Sequence, residues 1–177
     1  MNSTLSNLKY DPDQGALCIG PIRYLLIRPE TLADIQKGIE DRLGPKSGEY
    51  LYAAGAAWAV NTMKRLKSAL PEGPSDLAQA LCQQASQLGW GRWELAGWKP
   101  NHNQLAVRIH DSPLASTYGQ SDIPICHLLA GSVGGMAESL FNMPTACTEK
   151  TCRAQGDPNC LFIAVGHDVA GVESWDW

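Results

Sequence analysis

The chain has 177 residues, 44% of them apolar, and a formal net charge of −4. That length suits one domain with a sizeable core. Without a block of Lys or Arg, the charge excludes the concentrated positive field that nucleic-acid binding or docking on anionic lipid requires.

No apolar run approaches the ~18–20 residues of a membrane-spanning helix. The polar residues 1–9 lack the basic start and apolar stretch of a signal peptide. A cytoplasmic protein is expected. In that reducing setting the six cysteines are candidates for metal ligands, reactive thiols or core residues, not a disulfide framework.

Asp11-Pro12-Asp13-Gln14-Gly15 is a turn, with a short strand expected at residues 16–19. After Gly20-Pro21, residues 22–27 read as a buried strand. Pro29 suits the first turn of a helix, in which Leu32, Ile35, Ile39 and Leu43 recur at helical spacing before Gly44. A longer helix is predicted over about 45–70, with Leu51, Ala54, Trp58, Met63, Leu66 and Leu70 as its stripe. Its small residues 53–57 allow another element or a ligand to approach closely. A third helix is predicted to start with Ser75 as N-cap.

The pattern then becomes β. Trp93, Leu95 and Gly97 alternate with Arg92, Glu94 and Ala96, and Leu105, Val107 and Ile109 alternate with Ala106, Arg108 and His110. The turn at 100–103 makes this a hairpin. Residues 112–120 read as a loop. Asp122 and Pro124 are expected to open a further helix that ends near Asn142. Residues 145–152 and 161–165 read as a second hairpin around the turn at 155–159. Trp175 and Trp177 suggest that the C-terminal tail docks somewhere. Blocks of one element type followed by the other predict an α+β fold with an antiparallel sheet packed against a helical layer.

Four of the cysteines fall within residues 126–160. Cys126 sits at a helix start, which lowers a thiol pKa. Cys152 and Cys160 flank a tight turn, and Glu149 lies just before Cys152. Three thiolates and a carboxylate suit a closed tetrahedral zinc site. Spacing alone leaves open a second reading, in which three buried free cysteines stand beside a surface glutamate.

The motifs around these residues carry a resemblance. Pro124-x-Cys126 at a helix start, Glu149-x-x-Cys152, and Gly156-Asp157-Pro158-Asn159-Cys160-Leu161-Phe162 resemble the 4-vinyl reductase domain family in order and separation. The resemblance covers roughly residues 22–166, with 1–21 as an N-terminal extension and 167–177 as a tail. It implies a fold shared with Golgi-tethering subunits and nitric-oxide-sensing haem domains. It implies structural zinc on Cys126, Glu149, Cys152 and Cys160. Cys147, on the same strand face as Glu149, is the rival fourth ligand.

The resemblance also implies a hydrophobic ligand, a tetrapyrrole or its precursor, and a role in pigment handling or photosystem assembly. A homodimer or a heterodimer with a related protein is the expected assembly, with photosynthetic membrane proteins as further partners and a location at the periphery of that membrane. Trp58, Trp90, Trp93 and Trp98 form a candidate pocket for a flat apolar ligand, or an ordinary aromatic core. His127 is a further candidate ligand contact, or a helix-start histidine with an ordinary hydrogen bond. Arg108 is a candidate partner for a ligand carboxylate, or a surface arginine. Gly131, Gly134 and Gly135 fall inside a helix and mark close packing against a neighbour or a dimer mate.

No Gly-x-Ser-x-Gly, His-Glu-x-x-His or Gly-x-Gly-x-x-Gly motif is present. A vinyl reductase would therefore take its electrons from a partner, and a binding module is favoured over an enzyme. A dimeric scaffold without ligand is the third reading. Without an attached ATPase or DNA-binding region, a transcription regulator is disfavoured.

Overall fold

Short apolar segments separated by turn residues build a small first sheet. In the computed structural model, which describes residues 4–69 and 73–167, Asp11 Oδ1 accepts the N–H groups of Asp13 and Gln14 at 2.9 and 3.2 Å. This Asx turn joins β1 (Leu8–Asp11) to β2 (Ala16–Ile19), and β3 (Ile22–Tyr24) follows. The three form an antiparallel meander in the order β1-β2-β3.

β1 is not evident in the sequence, because Lys9 and Tyr10 break its apolar run. The buried strand expected over residues 22–27 is corrected. The ladder ends at Leu17↔Tyr24, where β2 runs out of partners. The chain then leaves the sheet, and Leu25 and Leu26 are 84% and 80% exposed.

Proline sets the starts of the next elements, because its missing N–H costs nothing at the first helical turn. α1 (Pro29–Leu43) and α3 (Pro74–Gln87) both begin on one. The N-cap of α3 is Gly73, not Ser75, since Pro74 already occupies N1. In α1 the buried positions are Ala33 and Gln36, while Ile35 and Leu43 of the expected stripe are exposed. Gln36 Nε2 donates to Ile125 O at 2.8 Å and so fastens α1 to the segment ahead of the last helix.

A 3-10 turn at Gly44–Lys46 precedes α2 (Ser47–Ala69), which starts slightly later than expected. Leu70, Pro71 and the tail with Trp175 and Trp177 lie outside the described residues.

β4 (Arg92–Lys99) and β5 (Gln104–His110) form the expected hairpin, with a bulge between Leu95 and Gly97. The loop expected over 112–120 contains a short helix, α4 (Pro113–Tyr118). Ser112 Oγ caps it by accepting the Ala115 N–H at 3.3 Å, and Pro113 sits at N1.

α5 (His127–Phe141) starts five residues after Asp122, with Cys126 as N-cap. Pro124 holds the residue before it extended, so the helix cannot start until the chain has passed it. Asn142 ends α5 in the left-handed region at φ 55°. β6 (Thr145–Thr151) and β7 (Cys160–Gly166) complete an antiparallel sheet in the order β4-β5-β7-β6.

The fold is α+β, with α5 lying on β5, β6 and β7 and α2 packed along α5. That packing is closer than side chains normally permit. A Cβ on Gly55 would fall 1.9 Å from Leu128 O, and one on Gly131 would fall 1.9 Å from Tyr52 O. Gly135 similarly faces the backbone of Ala56. The glycines of α5 thus serve close packing, with α2 of the same chain as the neighbour.

The core beneath this pair holds Met63, Leu81, Leu105, Val107, Leu129, Val133, Met136 and Phe162. Each large side chain buried there contributes about 1.5–3 kcal/mol. Among the described residues, no helix is long and apolar enough to cross a membrane.

Candidate metal centre and aromatic cavity

Alternation along β6 turns Cys147 and Glu149 to the same face. A register shift after Glu149 then brings Thr151 opposite Leu161. The chain makes a 3-10 turn at Arg153–Gln155, and Gly156 closes it at φ 96°. Asp157 Oδ2 accepts the Cys152 N–H at 2.8 Å, and Cys160 Sγ accepts the Arg153 N–H at 3.4 Å. These bonds fix Cys152 and Cys160 on either side of the turn. α5 delivers Cys126 from above.

Cys126 Sγ stands 4.0 Å from Cys152 Sγ and 3.9 Å from Cys160 Sγ. One ligand atom from each of Cys126, Glu149, Cys152 and Cys160 lies within 4.8 Å of all the others. Tetrahedral zinc–thiolate bonds of ~2.3 Å place sulfurs roughly 3.8 Å apart, close to these separations. Glu149 Oε2 accepts the Cys126 N–H at 2.9 Å. Its other oxygen, Oε1, is buried with no hydrogen-bond partner. Such an orphan costs about 1–3 kcal/mol or more, and a cation among the sulfurs removes that cost.

The charges agree with this fit. Hydrogen bonds from Cys126 and Cys160 favour ionisation of Cys152, whose pKa is held low. Hydrogen bonding to Cys152 and Cys160, followed by burial, pushes the Cys126 thiol far up. Burial first, and then the Cys152 charge, lifts Glu149 to about 8. The protein alone therefore accommodates one negative charge here. Four anionic ligands require a dication.

Cys147 lies elsewhere. Its N–H donates to Tyr52 Oη at 3.1 Å, and among the described residues it is not part of the metal-competent group. Burial and then the Glu149 charge raise its thiol above the usual range.

The tryptophans divide. Trp58 of α2, Trp90 ahead of β4 and Trp93 of β4 surround a cavity of about 200 Å³. Gly55 of α2 and Leu128, Leu129 and Ser132 of α5 complete it. Trp93 Nε1 donates to Trp90 O at 2.9 Å, which fixes that wall. Trp98 is not among the lining residues; it stacks on Phe141 with centroids 5.4 Å apart. His127 is not among them either. Its ring lies near Gly48, where an added Cβ would come within 3.1 Å. Arg108 pairs with Glu94 at 3.8 Å, and His102 is exposed in the turn at Pro100–His102.

A second, more open groove of about 280 Å³ shares Trp58 and Trp90 with the cavity, and Leu25, Leu26 and Ile27 form part of its wall. The sequence reading missed Leu128, Leu129 and Ser132. A serine four residues after Leu128 on an otherwise apolar helix was the available signal.

Comparison with known proteins places these features. The family model of the vinyl-4-reductase domain matches residues 105–165, about a third of the chain, which covers β5 through β7 and all four cluster residues. An uncharacterized protein of Methanocaldococcus jannaschii is 37% identical over 62 residues, or 34% of this chain and 27% of that protein. The match thus spans about a quarter of that relative.

Three solved structures share the fold. The phenol-responsive sensory domain of the transcription activator PoxR with phenol has a TM-score of 0.79 at 16% identity, covering 92% of this chain and 86% of that one. A vinyl-4-reductase family protein from M. jannaschii has a TM-score of 0.58 at 17% identity, covering 82% and 85%. A trafficking protein particle complex subunit 3 from Naegleria fowleri, covalently bound to palmitic acid, has a TM-score of 0.58 at 13% identity, covering 79% and 95%.

Proposed function

We propose that this chain is a small-molecule-binding domain, in which the cavity at the α2–α5 junction holds a compact aromatic ligand and one structural zinc ion is bound by Cys126, Glu149, Cys152 and Cys160. The observation that carries the reading is the cavity itself. Three tryptophans and two leucines line it, and Ser132 is the polar side chain that projects from its α5 wall. Apolar pockets with few polar groups are the usual form of ligand sites. The phenol-bound sensory domain with the same fold supports a single-ring ligand.

Volume separates the ligand classes. At about 200 Å³ the cavity is smaller than the ~300–1,000 Å³ of typical pockets for drug-sized ligands. A tetrapyrrole or its precursor, the larger ligand that a pigment-handling role requires, needs the outer groove as well. The shared walls of Trp58 and Trp90 are the observation that keeps this second reading. In both readings the zinc is a staple, since a closed site of four protein ligands leaves no open position for chemistry.

Calorimetric titration of the purified protein with phenol and with a porphyrin tests the pair of readings. Saturable phenol binding, abolished by Leu128→Trp, supports the compact pocket. Porphyrin binding with no phenol binding transfers the function to the combined groove. Binding of neither overturns the proposal. Metal analysis is expected to return about one zinc per chain.

A further inference from the structure

Ser132 is 4% exposed and lines the apolar cavity. Its hydroxyl donates to Leu128 O at 2.9 Å, one helical turn back. A hydroxyl has one proton and two lone pairs. With the proton committed to the helix backbone, the lone pairs remain as acceptors. On the opposite wall, the Trp93 indole N–H is committed to Trp90 O.

We infer that Ser132 sets the specificity of the cavity by selecting an aromatic ring that carries a hydrogen-bond donor, a hydroxyl or an N–H, over a ring that carries only acceptors or none. This rests on the cavity being the ligand site. A ligand donor meets the Ser132 oxygen with no rearrangement. A ligand acceptor must first draw the Ser132 proton away from Leu128. A purely apolar ring makes no polar contact, but it also has no polar group to strip of water. A donor-bearing ring entering an apolar cavity without a partner loses its bonds to water uncompensated. The Ser132 acceptor removes that cost. Sites built to hydrogen-bond a ligand group discriminate through such pairing.

The test compares phenol and toluene, which have similar shapes, by calorimetric titration of wild type and Ser132→Ala. The expected result is a phenol affinity about fivefold weaker in the variant, the equivalent of one net hydrogen bond, with toluene affinity unchanged. Unchanged toluene binding also reports an intact cavity. If Ser132→Ala leaves the phenol-to-toluene ratio as in wild type, the inference is overturned while the cavity reading stands. If wild type binds neither ring, the cavity reading falls and the inference with it. Should the variant fail to fold, wild type with anisole decides the matter, because methylation removes the donor from the same oxygen. Anisole binding as tightly as phenol overturns the inference.

Discussion

Cys126 and Ser132 stand less than two turns apart at the start of α5, yet they belong to regions built on opposite principles. Around Cys126, polar ligands converge and apolar filler is absent. The site has a buried carboxylate oxygen without a partner and three sulfurs that crowd one another's charge. It is completed by an added cation. Around Ser132, tryptophan and leucine walls enclose space, and the one polar side chain from α5 already has its proton placed. One region lacks charge and the other lacks volume. The first closes on an ion and stabilises the fold; the second can exchange a neutral ligand. Since α5 links them, a loosened cluster should also loosen the cavity, whereas a filled cavity should leave the cluster intact.

The largest expected effect breaks the first region. Cys152→Ser should cost more than ~4 kcal/mol, because loss of a structural metal belongs to the most destabilising class of change. For a chain of this size, that lowers Tm by more than ~8 °C. Scanning calorimetry with and without a strong chelator checks it. A metal-free wild type that melts as before defeats the staple.

Next comes the α2–α5 contact that carries the cavity. Gly131→Ala would place a Cβ 1.9 Å from Tyr52 O, where the obstacle is backbone and cannot swing aside. Overpacking of this kind costs about 3 kcal/mol. Denaturant unfolding is expected to show that loss, with zinc content retained. The same geometry makes Gly55→Leu a poor cavity-filling variant, since its Cβ meets Leu128 O before the side chain reaches the cavity.

A smaller effect separates two neighbours on β6. Glu149→Gln should weaken zinc retention by roughly 10–100-fold, comparable to the loss of an important metal-site partner. Cys147→Ser should leave retention unchanged, because Cys147 packs beside Tyr52. Competition with a coloured chelator measures both. Equal losses would return Cys147 to the ligand set.

The legibility of these regions in the sequence follows from how local their information is. The cluster is readable because Cys152 and Cys160 flank one turn and Glu149 precedes it on the same strand. The hairpins are readable because alternation and turn residues lie within a few positions of each other. The cavity is only half readable. Trp58, Trp90 and Trp93 meet because α2 crosses α5 at glycine contact distance, and no sequence spacing encodes that crossing. Trp98 joins them only by proximity in sequence, and the bulge after Leu95 and the partner Phe141 take it elsewhere. The strand expected at residues 22–27 stops short because hydrophobicity alone does not report whether a neighbouring strand is long enough to pair.

The smallest effect concerns the outer boundary of the groove. Pro113 and Leu114 of α4 help to line it, and the Tyr118 hydroxyl holds α4 on α1 by donating to Glu40 Oε2 at 2.5 Å. That hydrogen bond, aided by burial and the Glu40 charge, raises the Tyr118 pKa to about 12. Folding thus favours the protonated phenol. The stability from this contact is fully present below the ordinary tyrosine pKa of ~10. It is lost as pH rises through about 12. Because the ring is only partly buried, solvent screening keeps the contribution small. Tyr118→Phe should therefore be slightly less stable than wild type at pH 8, and the gap should close as the pH climbs above 10. Paired urea unfolding curves across that range measure it. A gap that stays constant would mean that Tyr118 acts by packing under Lys37, whose Nζ lies 4.8 Å from the ring centroid, and that the groove boundary does not depend on the Glu40 bond.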